Sequence, residues 1–95
     1  MITLNYERNI INMIDVLSED LAFRHNVDDL FRALHQSNFT EFYIDFSRIE
    51  SISRSFAHQY LKMKKQSNLR ITERNIPPII QQMFDYVTKT SPSLE

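Results

Sequence analysis

Glycine is absent from all 95 residues of this chain. Phosphate-binding loops, dinucleotide fingerprints and nucleophile elbows all place glycine where the backbone takes a positive φ or passes close to a phosphate. None of these structures can form here in its usual shape. The sequence therefore excludes most of the common nucleotide-binding motifs before any other feature is considered.

Cysteine is also absent, which excludes disulfides, thiol catalysis and thiolate-bound metals and fits a reducing compartment. No apolar run approaches the roughly 18 residues that a membrane span needs. Apolar residues nevertheless make up 42% of the chain, enough for one small packed core. We expect a single cytoplasmic α/β domain over residues 1–88, without membrane contact, metal or cofactor, and a disordered tail over 89–95.

The first half of the chain shows strand patterns on either side of one helix pattern. Residues 10–17 are rich in β-branched side chains and predict a strand, paired with a short strand near 2–5. Asn26 has the character of a helix cap, and apolar residues recur at helical spacing from Val27 to about residue 36. Residues 40–46 form the clearest strand, apolar on both sides, and we expect it at the centre of the sheet.

The second half continues the alternation. Ser53 is placed to cap a helix whose apolar stripe contains Phe56, Ala57 and Tyr60. Residues 69–73 predict a third main strand. A last helix follows Pro77-Pro78, and its predicted buried residues are Ile79, Ile80, Met83, Phe84 and Val87. This order favours parallel central strands joined by right-handed crossovers.

Charge is distributed unevenly although the net charge is only −1. Residues 1–50 hold four arginines against nine carboxylates, whereas residues 51–76 hold six basic residues against Glu73 alone. A basic stretch of this kind can contact phosphates, so nucleic-acid binding through residues 54–74 is the alternative function. The overall charge disfavours it. Ser55 lies three residues before His58, but this spacing is common by chance and does not indicate a hydrolase.

The segment from 47 to 55 joins the carboxyl end of the central strand to a helix, the edge where open α/β sheets usually bind ligands and partners. It contains four serines that could accept a phosphate, although serines are also ordinary turn and cap residues. We predict a partner-binding site made of Ser47, Ser51, Ser53, Arg54 and Ser55, with no catalytic residue.

A strand ending Ile44-Asp45-Phe46-Ser47, followed by Ile49 and by a helix start at Ile52-Ser53 and Ser55-Phe56-Ala57, resembles the STAS-like domain family. That family is related to the STAS domains of anti-sigma-factor antagonists. The resemblance implies a mixed four-stranded sheet with about three helices packed mainly on one face. It also implies a non-enzymatic protein-interaction module in signalling or regulation.

The partner that the resemblance implies is a histidine-kinase-like ATPase or a transcription regulator, and a homodimer is an alternative. In the antagonists, a serine of an Asp-Ser-Ser-Gly sequence in this loop is phosphorylated. When the motif is aligned with this chain, its Asp corresponds to Ser53 and its phosphorylated serine to Arg54. The second serine corresponds to Ser55 and the glycine to Phe56. The switch residue is therefore missing, which predicts docking without the phosphorylation switch.

Overall fold

Strands and helices alternate through the computed structural model, which describes Leu4, residues 8–91 and Leu94. The strands are β1 (Ile10–Asn12), β2 (Asp20–Leu21), β3 (Glu41–Asp45), β4 (Ser51–Ile52) and β5 (Arg70–Arg74). The helices are α1 (Met13–Val16), α2 (Arg24–Gln36), α3 (Arg54–Gln66) and α4 (Pro78–Thr90). The α/β class predicted from the sequence is confirmed.

The main sheet has three strands in the order β1-β3-β5, and both pairings are parallel. Strand β3 is central, as predicted. Strands β2 and β4 form a separate parallel pair, in which Asp20 lies opposite Ser51 and Leu21 opposite Ile52. The predicted mixed four-stranded sheet is therefore wrong: the described residues form a three-stranded and a two-stranded sheet, both parallel, with four helices rather than three.

The strand predicted over 10–17 ends at Asn12 because β3, with which it pairs, ends opposite that residue. Asn12 pairs with Asp45, the last residue of β3, so residues beyond Asn12 have no strand to pair with. They form the single helical turn α1 instead, and the Leu17 amide donates to the Met13 carbonyl at 2.9 Å. The strand predicted near 2–5 lies outside the described residues, apart from Leu4, which is buried.

Burial alternates along the main sheet, which gives it one covered face and one open face. Ile11, Ile44 and Ile71 are buried, whereas the neighbouring Tyr43 and Thr72 point the other way and are accessible. Helices α2, α3 and α4 supply most of the remaining core and so cover the first face. The centre of that core holds aromatic pairs with ring centroids 5.5 to 5.9 Å apart, among Phe31, Phe46, Tyr60 and Phe84.

Two helix details differ from the sequence predictions. Helix α2 begins at Arg24, so Asn26 lies inside the first turn rather than at the cap. The Asn26 amide donates to the Phe23 carbonyl, so the first helical turn is already formed at this residue. Ile79 is 62% exposed although it was predicted to be buried. The buried stripe of α4 is Ile80, Phe84 and Val87, at i, i+4 and i+7, and Ile79 is rotated about 100° away from Ile80.

A polar contact is built into the junction of α3 and β5. Tyr60 is fully buried, and its hydroxyl donates to one Glu73 carboxylate oxygen at 2.8 Å. The Lys64 ammonium donates to the other oxygen at 2.9 Å. Burial, and then the charge and hydrogen bond of Glu73, raise the pKa of Tyr60 well above its ordinary value of 10.0, so its hydroxyl stays protonated.

Candidate functional site

The loop after β3 is fastened at its start by Asp45. One Asp45 carboxylate oxygen accepts from the Ser47 amide at 2.7 Å, and the other accepts from the Asn75 side chain at 2.9 Å. Partial burial raises the pKa of Asp45, but hydrogen bonds from Ser47 and Asn75 and the charge of Arg74 outweigh it and hold the pKa below 3.8. The carboxylate is therefore an ionised clasp between the loops that follow β3 and β5.

Two residues of these loops take left-handed backbone angles without being glycine. Arg48 has φ 65° and Asn75 has φ 53°. Asparagine tolerates this region well, but for arginine the contact between Cβ and the carbonyl makes it unfavourable. The chain thus makes its sharp turns at the carboxyl edge of the sheet with non-glycine residues, and the Asp45 clasp holds both segments in place.

Ser51 and Ser53 use their hydroxyls to join this loop to the segment around β2. The Ser51 hydroxyl donates to Asp20 Oδ1 at 2.7 Å. The Ser53 hydroxyl accepts from the Phe56 amide at 3.0 Å, as an N-cap does, and donates to the Ala22 carbonyl at 2.8 Å. The predicted cap at Ser53 is confirmed, and both serines hold the loop in position.

Arg54 and Ser55, by contrast, are exposed in the first turn of α3. With Arg24 and His58 they line a surface depression of about 370 Å³. The Arg54 guanidinium carbon lies 5.6 Å from the centre of the Tyr86 ring, a cation–π distance. Among the described residues, neither Arg24 nor Arg54 forms a salt bridge.

The structure therefore divides the predicted site. Ser47 belongs to the clasp at the carboxyl edge of the sheet, Ser51 and Ser53 to the junction with β2, and Arg54 and Ser55 to the exposed start of α3. Of the five predicted residues, only Arg54 and Ser55 line the same surface depression.

Sequence reasoning missed Tyr86, the aromatic neighbour of Arg54, and the exposed Phe23 next to Arg24. Phe23 precedes α2 and is 62% exposed, and Tyr86 of α4 is 50% exposed. Phe23, Arg24, Arg54 and Tyr86 together are called the aromatic–arginine patch below. Its members come from three distant parts of the sequence, so no short-range residue pattern could have predicted it. The packing of α3 against α2 and α4 brings them together.

The start of α3 presents the exposed side chains of Arg54 and Ser55. Ser55 and His58 line the same depression, but no hydrogen bond joins them. Within residues 8–91, Leu4 and Leu94 there is no group of three side chains placed to hold a metal ion. In that same part of the chain, no helix combines the length and the apolar character needed to span a membrane.

Comparison with known proteins adds no relative. No protein-family model matches the chain, and neither the curated proteins nor the solved structures give a match. The resemblance to STAS-like domains therefore rests on the short motif around β3 and α3 alone.

Proposed function

We propose that this chain is a non-enzymatic, STAS-like protein-interaction module of a regulatory or signalling system. It docks its partner through the loop 47–55 and the first turn of α3, with Arg54 as the central charged contact. The resemblance of the motif around β3 suggests a histidine-kinase-like ATPase or a transcription regulator as the partner. The lack of cysteine supports a reducing, cytoplasmic setting.

One observation supports this proposal above the others: Arg54 is exposed and lies over the half-exposed ring of Tyr86. No carboxylate within the described residues is paired with it. Arginine and tyrosine are the residue types most enriched among the side chains that dominate protein–protein binding energy. Hydrogen bonds of Ser51, Ser53 and Asp45 also hold the loop beside Arg54 in place, so we expect it to lose little conformational entropy on binding.

Nucleic-acid binding through residues 54–74 has less support because the basic side chains of that stretch are divided between two faces. Arg54, Lys62 and Lys65 are exposed along α3, where His58 lies between the depression of Arg54 and that of the two lysines. Arg54 lies at the start of α3, on the covered side of the sheet. Arg70 and Arg74 lie on the open side, where Arg70 is near Glu41 at 3.8 Å and Arg74 lies 4.2 Å from the centre of the Tyr43 ring. Lys64 is engaged by Glu73. The charges are therefore not arranged as one phosphate-binding strip.

The test is affinity purification from the host cells with quantitative mass spectrometry, using the wild-type chain, Arg54→Glu and Arg70→Glu. The two variants make the same charge reversal on different faces, and the pair between Arg70 and Glu41 is too exposed to contribute much stability. Far-UV circular dichroism and thermal unfolding first establish that both variants are folded.

We expect a protein that is retained by the wild type and by Arg70→Glu and is lost with Arg54→Glu. Equal retention by all three chains would place docking elsewhere and contradict the proposal. Enrichment of nucleic acid that both reversals weaken would favour the alternative instead.

A further inference from the structure

The aromatic–arginine patch identifies the kind of partner. We infer that it binds an acidic protein segment in which an apolar side chain lies next to carboxylates. This inference rests on the proposed docking function and specifies its ligand. It follows from the exposure, continuity and charge of the patch.

Both aromatic rings of the patch are accessible to solvent. Of the described residues, the exposed large hydrophobic side chains are only Ile10, Phe23, Ile79 and Tyr86, and two of these four belong to the patch. The Phe23 ring stacks with the exposed His25 ring at a centroid separation of 5.7 Å. Exposed aromatic rings beside arginine offer a partner apolar area to bury.

The patch is continuous across three helices. The Ser53 amide donates to the Leu21 carbonyl at 2.8 Å, and its hydroxyl reaches the Ala22 carbonyl, so the residues that follow each segment, Phe23 and Arg54, lie on neighbouring helix starts. Arg24 and Arg54 line one depression, and Arg54 in turn lies over Tyr86. These contacts connect Arg24, Arg54 and Tyr86, with Phe23 next to Arg24 in the chain, and the inferred segment binds along this line.

Charge complementarity selects an acidic occupant. The first turns of α2 and α3 contain no acidic residue, and none is among the described residues that line the depression. Of the carboxylates next along α2, Asp29 is paired with Arg32 at 3.1 Å, and Asp28, which keeps its charge, accepts from the neutral Gln59 side chain at 2.7 Å. Two arginines without a carboxylate partner are thus presented beside apolar rings, which suits carboxylates flanking an apolar side chain.

The test pans a phage library of random 12-residue peptides against the full chain. The library is first depleted on the Arg24→Glu, Arg54→Glu double variant, so that peptides binding other surfaces are removed. Enriched peptides are then synthesised with a fluorescein label and measured by fluorescence anisotropy against the wild type, Arg54→Glu, Phe23→Ser and the control Arg70→Glu. Circular dichroism confirms that each variant is folded.

We expect enriched peptides that combine Asp or Glu with Leu, Ile or Phe. Affinity should fall about tenfold or more with Arg54→Glu, fall with Phe23→Ser, and stay unchanged with Arg70→Glu. Replacing the peptide carboxylates by amides should weaken binding in the same way.

Three outcomes would overturn the inference: no enrichment, a consensus without acidic residues, or binding that survives Phe23→Ser and Arg54→Glu. Wild-type dimers that Arg54→Glu dissociates would show a second copy as the occupant and also overturn it. If a cellular partner still depends on Arg54 while the peptides lack acidic residues, the docking function stands and only the ligand class is wrong.

Discussion

Replacing Tyr60 with phenylalanine should lower the free energy of unfolding, and the contacts of the Tyr60 hydroxyl determine by how much. The ring stays and continues to fill its buried position, so no cavity forms, and only the hydrogen bond to Glu73 is lost. A hydrogen bond to a charged group contributes about 1.5 to 3 kcal/mol. Glu73 keeps its bond from Lys64, and its side chain is 18% exposed, so water can partly replace the hydroxyl. We therefore expect a loss near the lower end, about 1.5 kcal/mol.

Urea unfolding followed by far-UV circular dichroism measures this loss, and thermal unfolding should show a decrease of roughly 6 to 12 °C. Tyr43→Phe is the matched control, because the Tyr43 hydroxyl is 3.4 Å from a partly exposed Glu41 oxygen and should contribute under about 0.5 kcal/mol. Equal losses for the two variants would refute the argument that the buried hydroxyl stabilises the domain through Glu73.

The same contact predicts an alkaline limit to stability. Because the folded protein raises the pKa of Tyr60, it holds that proton more tightly than the unfolded chain does. The contribution is complete below pH 10 and is lost as the pH rises above 10 towards the folded pKa. Unfolding free energies of the wild type should therefore fall more steeply above pH 10 than those of Tyr60→Phe, and parallel curves would contradict this.

Three further predictions concern the loop after β3. Ser53→Ala should cost about 1 to 2 kcal/mol in urea unfolding because the α3 cap is lost, whereas the exposed Ser55→Ala should stay within about 0.5 kcal/mol; equal effects would contradict the cap's role. Arg48→Gly should raise the free energy of unfolding by about 0.5 to 1 kcal/mol because its left-handed φ suits glycine, and a loss would refute this. Asp45 has a lowered pKa, so its contribution is present above pH 3.8 and is lost on further acidification; Asp45→Asn should flatten the acid side of the stability curve, and an unchanged slope would contradict the clasp.

The sequence was sufficient to predict the elements that depend on neighbouring residues alone. The run of apolar residues on both sides of the strand predicted β3 at the centre of the sheet. Ser53 marked the start of α3, three residues before the Phe56 amide from which its hydroxyl accepts. These predictions succeed because strand alternation and helix caps act over a few neighbouring residues.

The features that the sequence did not predict depend on residues far apart in the chain. The pair between β2 and β4 has two residues in each strand, too few to show alternation, and it joins positions 31 residues apart. The end of β1 is set by where β3 ends, not by its own β-branched residues. The aromatic–arginine patch combines residues from the start of α2, the start of α3 and the middle of α4, so only packing could bring Arg24 and Tyr86 to Arg54.

The shortness of the pair between β2 and β4 also has a consequence for motion. Two residues in each strand, assisted by Ser51 and Ser53, hold the starts of α2 and α3 together, whereas β3 and β5 are paired along five residues. Local opening of the shorter pair exposes two buried apolar side chains, Leu21 and Ile52, fewer than opening of the central strand, so its amides should exchange with solvent deuterium sooner. Breathing at this one junction would change the spacing of Arg24 and Arg54 while the rest of the domain stays folded.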